Sequence, residues 1–345
     1  MLTLELLKYA AGPTLPSLGS RIAALLPAVS EREFNWVIAG GLGPLLYHAT
    51  REHRDVLPAN LRERFLSAEL TERVRHGAIT DTAEDVIDAC TACGVPVTLL
   101  KGISISSQHY PEEHLRPMSD IDVLVPAMAY STIESALQDR GFQRGSDPPM
   151  ADPHHGVPVM HRMRRVWVEL HTTLYPSKSE LMGNRVFSEL HIAEQSIAST
   201  FHGRPVRRLS NELQLVYVAS SWIRDITLKK IDPSFLPAVF DAVYLLKSSG
   251  SVLDWNAMLG WLDNRFAAAS LYVLLTWLEK RELAECPVLP RLAVTQSLVG
   301  PLELRLIHAT IDHCLIGGRP WNLPLPPPVP GRYNMRRQLK KRFAQ

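Results

Sequence analysis

Cysteine is scarce in this 345-residue chain, which holds only Cys90, Cys93, Cys286 and Cys314. Four thiols do not make a disulfide framework at this length, so a secreted, disulfide-stapled scaffold is excluded and a reduced, cytoplasmic protein is expected. Long apolar runs are missing too. No uninterrupted stretch reaches the roughly 20 residues of a membrane-spanning helix. Glu5 and Lys8 interrupt the apolar N-terminus, which lacks the basic start and continuous apolar core of a secretory signal. An excess of one charge is also absent: 37 Lys+Arg face 35 Asp+Glu, a formal net charge of +2. A broad nucleic-acid sleeve needs a basic surface throughout, and this balance does not supply one. No internal repeat stands out, which argues against a solenoid.

What is present is a 46% hydrophobic composition, enough to bury a core and too apolar for a disordered chain. The length predicts two domains or three small ones. The bases are unevenly placed: Arg332, Arg336, Arg337, Lys340, Lys341 and Arg342 fall together near the end with no acid among them. Without those six, 31 bases face 35 acids, so the body stands at −4. The tail over 332–342 can bind an acidic partner, RNA or an acidic membrane surface as an amphipathic helix, or serve as a flexible solubilising end.

Hydrophobic periodicity divides the chain. Ser30, with Glu33 three residues on, reads as a capping box opening a helical stretch toward Thr50. Gly40, Gly41 and Gly43 interrupt that stretch, but no strand precedes them and no Lys-Ser/Thr follows, so close helix packing is expected rather than a phosphate loop. Ile79, Ala83, Val86, Ile87 and Cys90 recur at helical spacing up to Gly94. Cys90 and Cys93, with no second cysteine pair nearby, read as small helix residues rather than a zinc site. After Gly94 the texture becomes β-branched and mixed: a strand over Val95–Leu100, a helix over Ile103–Tyr110, a strand over Ser119–Val125, a helix over 127–140 and strands over 155–163 and 165–174. From Ser210 the pattern is helical only, with Asp232 and Asp254 as caps. The expected boundaries are a helical region 1–93, a mixed core 94–208, a helical domain 209–318 and a proline-rich connector with the basic tail over 319–345.

The chemistry concentrates in the mixed core. In Asp120-Ile121-Asp122-Val123-Leu124-Val125 the alternation of a strand puts both aspartates on one face and Ile121, Val123 and Val125 on the other. Their α-carbons then stand about 6.5 to 7 Å apart, a spacing from which carboxylates can share or bridge Mg²⁺. A buried pair of like charges needs a compensating cation. A third carboxylate is expected on a neighbouring strand, and Trp167, Glu169 and His171 share a face there; Glu169 can complete the metal site or act as a base toward an acceptor hydroxyl. The alternative for Glu169 is an exposed acid paired with Arg164 or Arg165, and for His171 a structural strand histidine. Lys101-Gly102 lies where the first strand yields to a helix, so its amides can meet phosphate oxygens, and Ser104 can add a hydrogen bond. Arg116 either contacts phosphate or pairs with Asp120. His154, His155 and His161, near Asp152, fit no standard zinc spacing and read as a polar loop by the cleft. Asp241 reads as a solvated or capping acid.

The run Leu-Lys-Gly at 100–102, then Arg116-Pro-Met-Ser-Asp-Ile-Asp-Val-Leu-Val, then Val-Glu-Leu-His at 168–171, resembles the uncharacterised bacterial nucleotidyltransferases of the DNA polymerase β-like superfamily. The resemblance spans roughly residues 35 to 290 and implies an α+β fold: a small mixed sheet with helices on one side, flanked by N-terminal helices and a C-terminal helical domain. It also implies an active site of three acids. Asp120 and Asp122 match the metal-binding pair, Glu169 the third acid and Lys101-Gly102 the phosphate-proximal turn, where the wider superfamily has Gly-Ser or Gly-Gly. The expected activity is transfer of a nucleoside monophosphate from an NTP, with ATP the expected donor, to an acceptor hydroxyl, with two Mg²⁺ ions and release of pyrophosphate. The alternatives are a catalytically silent binding or regulatory module of the same fold, and a toxin-like enzyme acting on tRNA or protein.

Overall fold

The computed structural model describes residues 1–12, 16–146, 154–228, 231–296 and 298–321. The basic tail and Asp152 lie outside the described residues. The chain divides into two compact units, Thr71–Gln214 and a second that joins residues 1–70 to those from 215 on.

The second unit is helical and begins with α1 (Leu2–Ala11), α2 (Pro16–Leu25), α3 (Glu31–Ala39), α4 (Gly43–Thr50) and the start of α5 (Ala59–Ala92). Ser30 caps α3 by accepting from the Glu33 amide at 3.3 Å. The stretch expected to run on to Thr50 is two helices, because the chain turns at Gly41 with φ 75°. Gly43 then lets α4 approach α5: a Cβ there would stand 2.6 Å from that of Ala68. The glycine cluster therefore serves close helix packing.

The unit Thr71–Gln214 holds β1 (Thr98–Leu99), α6 (Lys101–His109), β2 (Asp120–Leu124), α7 (Tyr130–Asp139), β3 (Phe142–Arg144), β4 (Val159–His161), β5 (Trp167–His171), α8 (Glu189–Glu194), β6 (Ser196–Phe201) and β7 (Arg204–Leu209). The strands form one seven-stranded sheet in the order β3-β4-β5-β2-β1-β7-β6. β2 runs parallel to β5 and β1 to β7, while the other pairs are antiparallel. On one face Ile121, Val123, Val168 and Leu170 bury against Ile79, Ala83, Val86 and Ile87 of α5 and Ile133 and Leu137 of α7. The Cys90 thiol lies in the same core, where burial pushes it up to about 12, as befits a small packing residue.

The sheet is larger than the periodicity predicts, since β3 and the β6–β7 hairpin are not in the expected set. β3 is three residues with one apolar side chain, too short for alternation to show. The hairpin turns at His202 and Gly203, both at positive φ, and β7 carries Pro205, which is tolerated because β1 pairs only at Arg207 and Arg208.

Past Gln214 the helices α9 (Asn211–Leu228), α10 (Leu236–Ser249), α11 (Trp255–Trp261), α12 (Arg265–Lys280), α13 (Leu289–Gln296) and α14 (Pro301–Ile311) follow. Asp254 caps α11 through the Ala257 amide at 2.9 Å. α1 packs on both α2 and α10, so the first helices and the last share one core. Asp241 on α10 is 2% exposed, not the solvated acid expected. No helix among the described residues is long and apolar enough to cross a membrane.

Candidate active site

The site lies on the face of the sheet opposite the apolar core. The register of β2 with β5 puts Asp122 beside Glu169 and Leu124 beside His171, so alternation along two strands brings Asp120, Asp122, Glu169 and His171 to one face. Asp122 is at the centre. Its Oδ1 accepts from Lys101 Nζ and faces His171 Nε2, each at 2.7 Å. The same histidine nitrogen stands 3.4 Å from Glu169 Oε2, and His155 Nε2 stands 3.6 Å from that oxygen.

The fold supplies these groups by strain as well as by register. Lys101 sits at φ 45°, an unfavourable conformation for a residue with a Cβ, which turns the chain sharply from β1 into α6 and carries the ammonium back over β2. Gly102 is needed for a different reason: a Cβ would come within 2.8 Å of the Arg116 guanidinium. Arg116 donates to the Pro117 carbonyl at 2.6 Å, while the Asp120 carboxylate accepts from Ser119 Oγ at 3.0 Å. Ser104 is the residue expected to add a hydrogen bond to phosphate. It is wholly buried in α6, donates to Gln214 at 3.2 Å and accepts from Gln108 at 3.0 Å, so its hydroxyl is held inside the core.

The two aspartates are held in opposite electrostatic states. Burial alone would raise the Asp122 carboxyl, but Lys101 and His171 outweigh it and hold the group well below the usual carboxylate range. Asp120 is pushed up, first by burial and then by the charges of Asp122 and Glu169. The hydrogen bond from His171 holds Glu169 down against burial and Asp122. Burial depresses His171, yet its bonds to Asp122 and Glu169 raise it overall. His154 and His155 complete a group of three imidazoles, with ring centroids 4.6 to 5.2 Å apart. The Gly156 carbonyl lies 2.6 Å from His155 Nδ1 and can only accept, so that nitrogen carries a proton. His161 lies apart from these, close to Asp85.

Asp122, Glu169 and His171 each present a ligand atom, and the three atoms lie within 4.8 Å of one another. Two carboxylates and an imidazole suit a divalent cation. Of the three expected acids, Asp122 and Glu169 therefore converge in one ligand group, while the Asp120 carboxylate stands beside that group on the same face. Further along the face, Thr98, Leu124, Phe187, Ile192 and Arg207 line a mostly apolar cavity of about 420 Å³. Thr98 pairs with both Leu124 and Arg207 across the sheet, so the cavity begins one same-face step from Asp122.

Comparison with protein families gives a match over residues 30–279 to a family described as uncharacterised nucleotidyltransferase. The chain belongs to that family. The match takes in the cluster around Asp122 and most of both units, and it makes this chain a nucleotidyltransferase, a transferase of phosphorus-containing groups. Among solved structures the nucleotidyltransferase is similar to the solution structure of antibiotic-resistance factor ANT(2'')-Ia. The identity is 12% and the TM-score 0.35, over 59% of this chain and 92% of that one. No curated protein matches the sequence.

His171 was only partly legible in the sequence. The parity of β5 already put His171 on the face of Glu169, and that was the available signal. The partners themselves depend on a pairing between strands 47 residues apart, Asp122 with Glu169, which no local pattern encodes.

Proposed function

We propose that this nucleotidyltransferase moves a nucleoside monophosphate from an NTP, with ATP the expected donor, to the hydroxyl of a small acceptor and releases pyrophosphate. The observation that carries the reading is the convergence of two carboxylates, the buried Asp122 and the partly buried Glu169, with Lys101 and His171 on one face of the sheet, in a chain whose family transfers nucleotides. Asp120, Asp122 and Glu169 are assigned to hold divalent metal, taken as two Mg²⁺ ions. Bound metal supplies charge neutralisation of the triphosphate and lowers the pKa of an oxygen nucleophile.

The remaining roles fall to the chain itself. The amides at the start of α6, with Lys101, Gly102 and Arg116 beside them, bind and orient phosphate oxygens. The acceptor oxygen attacks the α-phosphorus as Glu169 accepts its proton; the bond from the α-phosphorus to the bridging oxygen breaks, and pyrophosphate leaves with that electron pair. The acceptor's body is assigned to the cavity lined by Leu124, Phe187 and Ile192, whose size suits a small molecule, and the catalytic core to residues 94–208.

The test is incubation of the full chain with each α-phosphate-labelled NTP, Mg²⁺ and a cell extract. A labelled small molecule is the expected product. Label on tRNA or protein would move the acceptor to the toxin-like class. No labelled product with any NTP from folded protein would favour a silent module.

A further inference from the structure

We infer that His171 is itself a metal ligand, so that the position bounded by Asp122, Glu169 and His171 takes a first-row transition ion such as Mn²⁺ in preference to Mg²⁺. The inference rests on the metal-dependent reading above and changes the composition of the centre from oxygen-only to mixed oxygen and nitrogen.

Two observations carry it. One ring nitrogen, Nε2, faces both carboxylates, 2.7 Å from Asp122 Oδ1 and 3.4 Å from Glu169 Oε2. Octahedral bonds of about 2.1 Å set neighbouring donor atoms about 3 Å apart, and these two separations straddle that value. The ring is also enclosed. It is 0% exposed, β5 is paired along its length with β2, and the His171 carbonyl accepts from the Val125 amide at 2.9 Å.

The chemical consequence follows from ligand preference. Mg²⁺ favours oxygen donors and keeps much of its water, whereas imidazole suits transition ions, and Mn²⁺ accepts carboxylates as well. Lys101 cannot substitute as the third ligand while its ammonium is charged and bonded to Asp122 at 2.7 Å, because a protonated amine has no lone pair; His171 ligates once Nε2 gives up the proton it shares with Asp122. His155, whose Nε2 faces Glu169 at 3.6 Å, is the neighbour from which His171 must be distinguished.

The experiment is pulsed electron paramagnetic resonance on the full chain loaded with Mn²⁺ alone, made with ordinary and with ¹⁵N-labelled histidine, together with calorimetric titration of Mn²⁺ and of Mg²⁺. The expected result is modulation from a directly bound imidazole nitrogen that changes on labelling, and Mn²⁺ affinity about tenfold or more above that for Mg²⁺. The modulation should persist in the double variant His154→Asn, His155→Asn and vanish in His171→Asn, whose circular dichroism and melting curve report whether it has folded. Mn²⁺ bound through oxygen alone in the labelled wild-type chain overturns the inference and leaves the metal-dependent transferase standing, and that spectrum decides the matter even if the variant misfolds. Modulation that survives His171→Asn also overturns it, in favour of His155. Failure to bind Mn²⁺ or Mg²⁺, with or without NTP, removes both the inference and the reading beneath it.

Discussion

The two faces of β2 are built from alternate residues of one short strand, yet they are held together by different physics. On one face Ile121 and Val123 are 0% exposed and pack against α5 and α7, where any apolar side chain of suitable volume gives most of the stabilisation. On the other, Asp122 is nearly as buried, and its stability depends on Lys101 and His171 at 2.7 Å each. An apolar face tolerates approximate partners. A buried carboxylate requires particular ones in particular positions, because unpaired it would cost several kcal/mol or take up a proton.

Exchanging the chemistry of the two faces should therefore break the molecule from one side and the activity from the other. The largest effect is expected from Ile121→Asp, which buries a charge with no partner in the α5–α7 core; a loss of about 4 kcal/mol or more, read by chemical denaturation, should unfold the sheet-bearing unit. Asp122→Asn comes next. It keeps the shape and the hydrogen bond to Lys101 but removes the charge, and steady-state transfer should fall about 10³-fold, some 4 kcal/mol of transition-state stabilisation, with the far-ultraviolet circular dichroism unchanged. A variant that keeps full activity would remove Asp122 from the reaction.

Val123→Ala should show the tolerance of the apolar face, costing about 2 kcal/mol in the melting transition while kcat stays within a fewfold of the parent. The smallest effect concerns pH. Asp120 is raised in the folded chain, so its contribution favours folding at low pH and is lost as pH rises through the folded value. Asp120→Asn in chelator-treated protein should accordingly raise the melting temperature slightly near neutral pH and have no such effect well below the ordinary carboxylate value. Asp122, held low, has the opposite sign: its contribution is present above the ordinary carboxylate value and is lost as pH falls toward the folded one. The Asp122→Asn variant should therefore have a flatter acid limb than the parent. Identical acid limbs in parent and variant would show that Lys101 and His171 do not stabilise the carboxylate.

Parts of this architecture were legible in the sequence for definite reasons. The helix ending at Gly94, the strand from Ser119 and the all-helical region after Ser210 rest on local periodicity and on capping residues such as Ser30 and Asp254, which act within one or two turns. β3 and the β6–β7 hairpin were not legible, because short, polar strands are held by neighbours distant in the chain. The break at Gly41 was half legible: the glycines marked an interruption, and only the structure separated the turn at Gly41 from the close packing of Gly43 against Ala68. In the site, the alternation of Asp120-Ile-Asp put two acids on a common face, and the parity of β5 put Glu169 and His171 together. Spacing in a helix says which residues follow a phosphate turn and nothing about which of them the core covers, and Ser104 is one that it covers.

The sequence alone determined the composition of each face and the family's reaction, since period-two alternation and a contiguous motif are local properties of the chain. Tertiary structure decided which acids meet. The parallel register of β2 and β5 set Asp122 against Glu169 and brought the His171 nitrogen to both, and the strained turn at Lys101 returned a cation across the sheet to the same oxygen. These are contacts between residues 21 to 49 positions apart, fixed by the burial of the opposite face, whose packing leaves the strands one register in which to lie.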